Sequence, residues 1–310
     1  MWASATLDAW DVLARDAFVV RGARVRVLDG PRGDEAPTWP LAHVLWAAGD
    51  VARLGVDVPV RGLVAGLERF RRGEAYAATV GGRRFYDDNA WVGLASLGLG
   101  LDDDPAAIGR ATRLSAFVRR GETRRGGVRW AEHSPSRNAC STAPAAWLAL
   151  EVAARTADQG SEPVAFAERV MAWLQDTLMR PDGLVADRIT SRGKVVNRPW
   201  SYNQGAAIAA RRRLGRPTAP LSDAALTRFH GERLWREPPA FASILFRALL
   251  ERPDPQVLSV LDPYLERLIG TAREPSTGWY TAGGVGSYDG HPTIDQAAVV
   301  QLLALRSRAP

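Results

Sequence analysis

The chain has 310 residues, with 40 Lys+Arg against 34 Asp+Glu (formal charge +6), 46% hydrophobic residues and one cysteine. This composition belongs to a globular protein large enough to bury a core without cross-links, and the lone Cys140 excludes an internal disulfide and any zinc site built from cysteines. No apolar run is long enough for a membrane-spanning helix, and Asp8, Asp11, Arg15 and Asp16 stand where a secretion signal would be apolar, so a cytoplasmic location is expected.

Hydrophobic spacing is helical along nearly the whole chain. A first helix is predicted over 5–18, followed by the only stretch that alternates like a strand, Ala23 to Leu28. Leu41, Val44, Leu45, Ala48 and Ala52 share one face of a second helix over 41–54. Further helices are expected over 58–72, 88–99, 105–120 and 139–157, and Phe166, Val170, Trp173 and Leu174 mark another over 162–178. Segments 202–214 and 221–231 follow. Phe241, Ile244, Leu245, Ala248 and Leu249 define 239–251, while Val257, Val260, Leu261, Tyr264, Leu265 and Leu268 define 255–270, and the last helix covers 292–307. Asp104 before Pro105, Asp254 before Pro255, and Ser222 signal helix starts.

Between these twelve helices long connections (19–40, 73–87, 121–138, 179–201 and 271–291) alternate with short ones, and only 232–238 breaks the alternation by being short. In an up-and-down array every second connection lies at the same end, so the long ones share an end. They also hold most of the Gly, several Trp and paired polar residues, the usual mark of a functional end. The pattern predicts an all-α fold, an (α/α)6 toroid or six-hairpin barrel with a cleft at that end. Neither a repeat of fixed period nor a linker rich in Pro, Gly or Ser interrupts it, so a single domain over 1–310 is expected.

The charge excess names no partner by itself. All the cationic side chains but Lys194 are arginines, and they are scattered; the tightest run, Arg211 to Arg213, ends an apolar helix where cations suit the dipole. A solvated surface explains them, and neither a nucleic-acid nor a membrane partner is expected. Nothing in the sequence sets an oligomeric state.

The densest chemistry is Phe85-Tyr86-Asp87-Asp88-Asn89-Ala90-Trp91, where a long connection meets a helix. Adjacent carboxylates repel, and burial beside aromatics raises at least one pKa, giving one protonated and one ionised carboxyl. The plain alternative is that aspartates here only cap the helix, as Asp102-Asp103-Asp104 on a short connection is expected to do. Gly126-Gly127-Val128-Arg129-Trp130 ends in an aromatic suited to stacking on a sugar ring, and Arg137-Asn138 opens the next helix. Gly183-Leu184-Val185-Ala186-Asp187 precedes Trp200-Ser201-Tyr202-Asn203-Gln204-Gly205, in which Ser201 and Gln204 read as a capping box that leaves Tyr202 and Asn203 unexplained. Trp39, Trp91, Trp130, Trp200 and Trp279 lie in or beside the long connections, whereas Trp147 and Trp173 fit core packing. His43, His133, His230 and His291 lack metal-ligand spacing, and no nucleotide or cofactor fingerprint is present, so neither a metal nor a cofactor is expected. Cys140, at a helix start, has no evident base partner.

Taken in order, Tyr86-Asp87-Asp88-Asn89-Ala90-Trp91, Gly126 to Trp130, Arg137-Asn138-Ala139, Gly183 to Asp187 and Tyr202 to Gly205 resemble glycoside hydrolase family 76, the endo-α-1,6-mannanases, as does Thr38-Trp39-Pro40. The resemblance implies an (α/α)6 toroid, retaining hydrolysis of α-1,6-mannosidic bonds in a mannan or manno-oligosaccharide, and an adjacent Asp pair as dyad, with Asp87 the nucleophile and Asp88 the general acid/base. Retention needs carboxyls about 5 to 5.5 Å apart, a separation neighbouring residues can meet. Tyr86, Trp130, Asn138, Asp187, Tyr202, Asn203 and Gln204 are the expected substrate contacts, with Trp39 and Trp279 added as aromatic platforms. The chain departs from the family in lacking an export signal, in the short 232–238 connection and in having Asn at 89. Two other readings stand beside it: another enzyme of the same toroid, a sugar epimerase or unsaturated uronyl hydrolase that would need His43 or His291, and a glycan-binding protein without catalysis.

Overall fold

The helical spacing of the sequence is realised in a computed structural model that describes residues 1–99, 104–156 and 162–310. Its helices are α1 (Trp2–Ala17), α2 (Thr38–Ala52), α3 (Val60–Leu67), α4 (Tyr86–Leu97), α5 (Pro105–Arg119), α6 (Ala139–Arg155), α7 (Glu162–Leu178), α8 (Ser201–Arg213), α9 (Ala219–Arg228), α10 (Gly231–Trp235), α11 (Pro239–Leu249), α12 (Pro255–Arg267) and α13 (Pro292–Arg308). All twelve predicted helices are present. The addition, α10, is a short turn inside the connection at 232–238, where Gly-Glu-Arg-Leu-Trp offers too few residues for a periodic signal.

Helix starts follow local chemistry. The Asp104 carboxylate accepts from the Ala106 N–H at 3.0 Å, and that of Asp254 from the Val257 N–H at 3.0 Å, each with proline as the next residue. Asp102 and Asp103 lie outside the described residues. Ser222 does not start its helix: α9 begins earlier, with Pro220 in its first turn and the Ser222 N–H bonded to the Thr218 carbonyl. Helix α12 runs on into a single π turn, Leu268–Ala272.

Short strands occupy the long connections, and most escape sequence reading because two residues carry no alternation. The exception is β2 (Arg24–Val27), which pairs antiparallel with β1 (Phe18–Arg21) through a tight turn whose first central residue, Gly22, has φ +58°. The others are β3 (Arg71–Arg72) with β4 (Ala75–Tyr76), and β5 (Arg137–Asn138), β6 (Arg188–Ile189) and β7 (Val195–Val196) in one three-stranded sheet.

The residues group into two compact units: Met1–Arg69, Gly98–Gly100 and Leu226–Pro310 form one, and Phe70–Leu97 and Leu101–Ala225 the other. In the first, α13 is buried on every side and packs against α1, α2 and α11. Helix α3 lies so close on β2 that a Cβ at Gly66 would sit 2.0 Å from the Val25 carbonyl oxygen. In the second unit, α6 is the central helix, touching α4, α5, α7 and α8. Among the described residues no helix is long and apolar enough to cross a membrane.

One device recurs at four of the five junctions between a long connection and the buried helix that follows it. A polar side chain in the first turns of that helix hydrogen bonds to the backbone of the connection. In α4 the Asn89 amide accepts from Tyr76 N–H (2.8 Å) and donates to Tyr76 C=O (2.9 Å) and Phe85 C=O (2.7 Å). In α6, Thr142 accepts from Val128 N–H (3.0 Å) and donates to Asn138 C=O. In α8, Gln204 accepts from Val185 N–H (2.7 Å) and donates to Val185 C=O (3.0 Å) and Trp200 C=O (2.9 Å). In α13, Gln296 accepts from Tyr280 N–H (3.1 Å) and donates to Ala9 C=O. Each pinned residue is also bridged to the end of the preceding outer segment, as Tyr76 to Arg71, Val128 to Glu122, Val185 to Met179 and Tyr280 to Arg273. This is a structural repeat that the sequence conceals, because Asn, Thr and Gln perform the same task.

The pinning has an energetic consequence that can be measured. Gln204→Met keeps the volume but leaves the N–H and C=O of Val185 and the C=O of Trp200 without their partner, at about 1–3 kcal/mol per buried group. We expect a loss of about 3 kcal/mol in urea unfolding, with the slope against urea unchanged.

Candidate active site

The second unit gathers its functional residues at the starts of α4, α6 and α8. Tyr86 N–H donates to Trp130 C=O (2.9 Å), Phe85 bridges to Ala131, and Arg84 holds the Glu132 carboxylate with two nitrogens at 2.7 and 2.6 Å. The 130–132 segment is thereby fastened to the start of α4. A second fastening joins α6 to the 183–187 connection, where Ala139 N–H donates to Asp187 C=O (2.8 Å). The Gly-Gly turn is needed for close packing: Gly127 has φ +70°, and a Cβ there would lie 2.5 Å from the Trp173 ring.

This frame surrounds the Asp pair. The Asp87 Oδ2 accepts from Trp130 Nε1 at 2.9 Å and from the Cys140 thiol at 3.3 Å, and its Oδ1 accepts from the Asp88 N–H at 3.1 Å. Burial raises the Asp87 carboxyl to about 6, and these three donors limit the rise by stabilising its ionised form. Burial and the charge of Asp87 hold the Asp88 carboxyl well above the usual carboxylate range. None of the hydrogen bonds among the described residues reaches the Asp88 carboxyl. Near neutrality the arrangement favours one ionised, oriented carboxylate and one neutral carboxyl in the pair.

The neighbours are protonated as well. Burial and the carboxylates of Asp87 and Asp187 push the Cys140 thiol up, so it remains a donor. Burial likewise raises the Tyr202 phenol, whose surroundings are Cys140, Asp187 and Asp87. The Asp187 side chain pairs with Arg188, yet burial still raises its pKa. Asn138 is the N-cap residue of α6, with no side-chain capping bond and its Oδ1 buried without a partner. Asn203 is fully buried, and neither Oδ1 nor Nδ2 has a hydrogen-bond partner in the protein. Buried amides of this kind call for an outside donor and acceptor, such as a sugar hydroxyl or ordered water.

Asp87, Asp88, Trp130, Asn138, Asp187, Tyr202 and Asn203 thus belong to the same unit and frame, and Trp130, 42% exposed, offers an open ring. Four expected contacts have other partners in the structure. Tyr86 turns away from the dyad: its ring stacks on Phe117 at 5.0 Å and covers Gly121. Gln204 spends its amide on backbone groups, and the expected capping box with Ser201 does not form, since the N-cap residue is Trp200. Trp279, in the other unit, is 3% exposed with its Nε1 donating to Asp16 at 2.8 Å, so its ring is no open platform. Trp39, also in that unit, packs edge-on against Tyr288 and against His43 and Phe241.

Sequence reasoning set Cys140 aside because no base partner was evident. Its partner is the dyad itself, and the available signal was its place one turn into the helix opened by Arg137-Asn138. Two of the histidines have structural partners. His43 is buried, shares hydrogen bonds with Gln301 and is lowered to about 3 by burial, so it stays neutral; His291 pairs with Asp29. Among the described residues no group of three or more His, Cys, Asp or Glu is placed to hold a metal ion.

Residues 68–219, nearly the whole of the unit that carries the Asp pair, match the family model described as Glycosyl hydrolase family 76, as the motifs imply. No curated protein matches the sequence. Among solved structures, a family 76 glycoside hydrolase from a bovine Bacteroides thetaiotaomicron strain is 20% identical, with 99% of this chain and 77% of that one covered and a TM-score of 0.83. An α-mannanase of the same family from Bacteroides thetaiotaomicron is 15% identical, with 99% and 96% covered and a TM-score of 0.83. An α-1,6-mannanase from Salegentibacter sp. HEL1_6 is 23% identical, with both chains fully covered and a TM-score of 0.80; that structure is an inactive variant, two consecutive aspartates replaced by asparagine, in complex with α-1,6-mannotriose. These likenesses fix the fold as the expected all-α (α/α)6 toroid.

Burying two adjacent carboxyls costs stability in a pH-dependent way. Both folded pKa values are raised, so the native state binds more protons than the unfolded one, and stability falls as pH rises from about 4 through about 6 and beyond. Asp88→Asn removes the larger part of this penalty. We expect its Tm to exceed that of the native chain by a few degrees at pH 7.5, about 2–4 °C for each kcal/mol recovered, with the difference shrinking toward pH 4.5 in paired calorimetric scans.

Proposed function

We propose that this chain, a glycoside hydrolase of family 76 by its residues 68–219, cleaves α-1,6-mannosidic bonds with retention, Asp87 acting as nucleophile and Asp88 as general acid and base. The observation that carries the reading is the geometry of two adjacent carboxyls in a protein wall that raises both pKa values, one oriented by Trp130 Nε1 and the Cys140 thiol, the other met by none of the hydrogen bonds among the described residues. The mannosidic substrate is supported by the Salegentibacter relative that holds α-1,6-mannotriose and is inactive when two consecutive aspartates become asparagine.

In the first step an Asp87 oxygen forms a bond to C1 of the sugar as the bond from C1 to the leaving oxygen breaks, and Asp88 gives its proton to that oxygen. In the second, Asp88, now ionised, takes a proton from water while the water oxygen attacks C1 and Asp87 departs. Two inversions return the original anomer. Trp130 offers its ring to a sugar face while its Nε1 steers Asp87, and the buried amides of Asn138 and Asn203 suit ordered water behind that face. Tyr202 and Asp187, protonated or paired beside the dyad, complete the polar wall.

The test is reducing-end release from linear α-1,6-mannan and α-1,6-mannotriose. Native chain should be active, and Asp87→Asn and Asp88→Asn should each lose at least about a thousandfold in kcat. Proton NMR of the first product should show the α-anomer; the β-anomer would overturn retention, and an inert native chain would overturn the substrate.

The pH profile gives a further expectation. Catalysis needs Asp87 ionised and Asp88 protonated, so kcat/KM should rise with pH through about 6 and fall where Asp88 ionises. Trp130→Phe removes a donor to the ionised form of Asp87, which raises its pKa. The acid limb should move to higher pH and kcat should fall by about tenfold or more.

A further inference from the structure

Beyond the dyad, the second unit contains a cavity of about 630 Å³ whose wall gathers four arginines among neutral polar residues. Arg124, Arg125, Arg129, Arg137 and His133 line it, against one carboxylate, Glu122, which is already bound by Arg169 at 2.9 Å. Among the described residues no carboxylate pairs with Arg124, Arg125 or Arg129. Arg137 is fixed in place by the carbonyls of Arg125 and Gly126 and by the Trp173 ring beneath it, 5.3 Å from the centroid. Its guanidinium is lowered by burial and by the like charge of Arg125. Four guanidinium groups gathered without counter-charge repel one another, and an anion in the cavity would relieve that repulsion.

The cavity is tied to the candidate active site by a short two-stranded ribbon. Arg129 and Arg137 stand opposite each other across it, with Trp130 N–H bonded to Ser136 C=O and Asn138 N–H to Val128 C=O. Side chains alternate along such a ribbon. Trp130 and Asn138 therefore take one face, toward the Asp pair, while Arg129 and Arg137 take the other, into the cavity. Thr190 and Ser191, at the tip of the β6–β7 hairpin, add hydroxyls to its wall.

We infer that this cavity is an anion-binding subsite for the glycan, receiving a phosphate or carboxylate group carried by the sugar chain beyond the Trp130 edge of the candidate active site. Arginine forks bind either oxyanion in a bidentate manner, and the volume accommodates a charged sugar together with its substituent. The inference deepens the glycosidase reading and rests on it: the site chooses among mannosides by charge, while the dyad performs the cleavage.

The experiment uses the full chain and separates binding from turnover. Ligand-observed NMR titrations with mannose 6-phosphate, glucuronate, neutral α-1,6-mannobiose and inorganic phosphate are compared for the native chain, Arg124→Ala/Arg125→Ala and Arg124→Lys/Arg125→Lys. Both positions are exposed, so neither variant should affect folding. We expect at least one charged sugar to bind, weakening by about tenfold in the alanine variant and less in the lysine variant, and weakening with added salt. Stronger binding of the phosphate or of the carboxylate sugar identifies which oxyanion the cavity prefers. Hydrolysis of neutral α-1,6-mannotriose should be unchanged in both variants; its absence in the native chain would overturn the mannosidase reading without touching the titrations. Charged sugars that do not bind, or that bind the alanine variant equally, would overturn the subsite. So would inorganic phosphate binding as tightly as the sugar phosphate, or a single-stranded oligonucleotide displacing the sugars at lower concentration.

Discussion

The architecture depends on one recurring interaction, the hydrogen bonding of connection backbone by a polar side chain in the first turns of a buried helix. A long connection that dips into the protein carries N–H and C=O groups that must find partners there. Asn89, Thr142, Gln204 and Gln296 supply them, each joining a helix to the chain that precedes it. The same bonds decide where the helix begins and where the connection is allowed to go, so loops that would otherwise wander are held to within hydrogen-bond distance of a rigid element.

The candidate dyad inherits its geometry from this arrangement. Asn89 follows Asp87 and Asp88 directly, so the bonds that tie α4 to Tyr76 and Phe85 also fix the two carboxyls at its first turn. Thr142 ties Val128 to α6, two residues from Trp130 and two residues after Cys140. The donors to Asp87 therefore come from both sides of one pinned junction. Precise placement of side chains needs supporting residues with no freedom of their own, and here Asn89 and Thr142 provide it.

How far the sequence reveals this follows from which signals are periodic. Helices are legible because their apolar stripes repeat, as in Val257, Leu261, Tyr264 and Leu265, all of which are buried. The Asp pair is legible as a local cluster. What stays hidden depends on pairing between distant residues: the two-residue strands β5 to β7, the Cys140 bond to Asp87, and the use of Gln204 to hold Val185 rather than to cap its helix or meet a ligand. Trp279 illustrates the same limit. A tryptophan in a Gly-rich connection reads as a platform, but its distance in sequence from Asp16 gave no hint that the two are hydrogen bonded and buried. The repeat itself escapes because hydrogen-bonding capacity, unlike hydrophobicity, can be delivered by Asn, Thr or Gln at slightly shifted positions.

The ribbon formed by residues 128–130 and 136–138 brings these threads together. Val128, Trp130 and Asn138, on one face, serve the core, Asp87 and the start of α6. Arg129 and Arg137 take the other face, since side chains alternate along a strand, and there Arg137 lies over Trp173. Fold stability alone would favour neutral or balanced side chains at such positions, because like charges opposite each other on a strand pair are unfavourable. The chain instead places arginines opposite each other and adds Arg124 and Arg125 from the turn below. Packing accounts for Arg137, which lies over Trp173, but not for the gathering of Arg124, Arg125 and Arg129 on the free face of the segment beside the Asp pair, and it is this gathering that the proposed anionic group would answer.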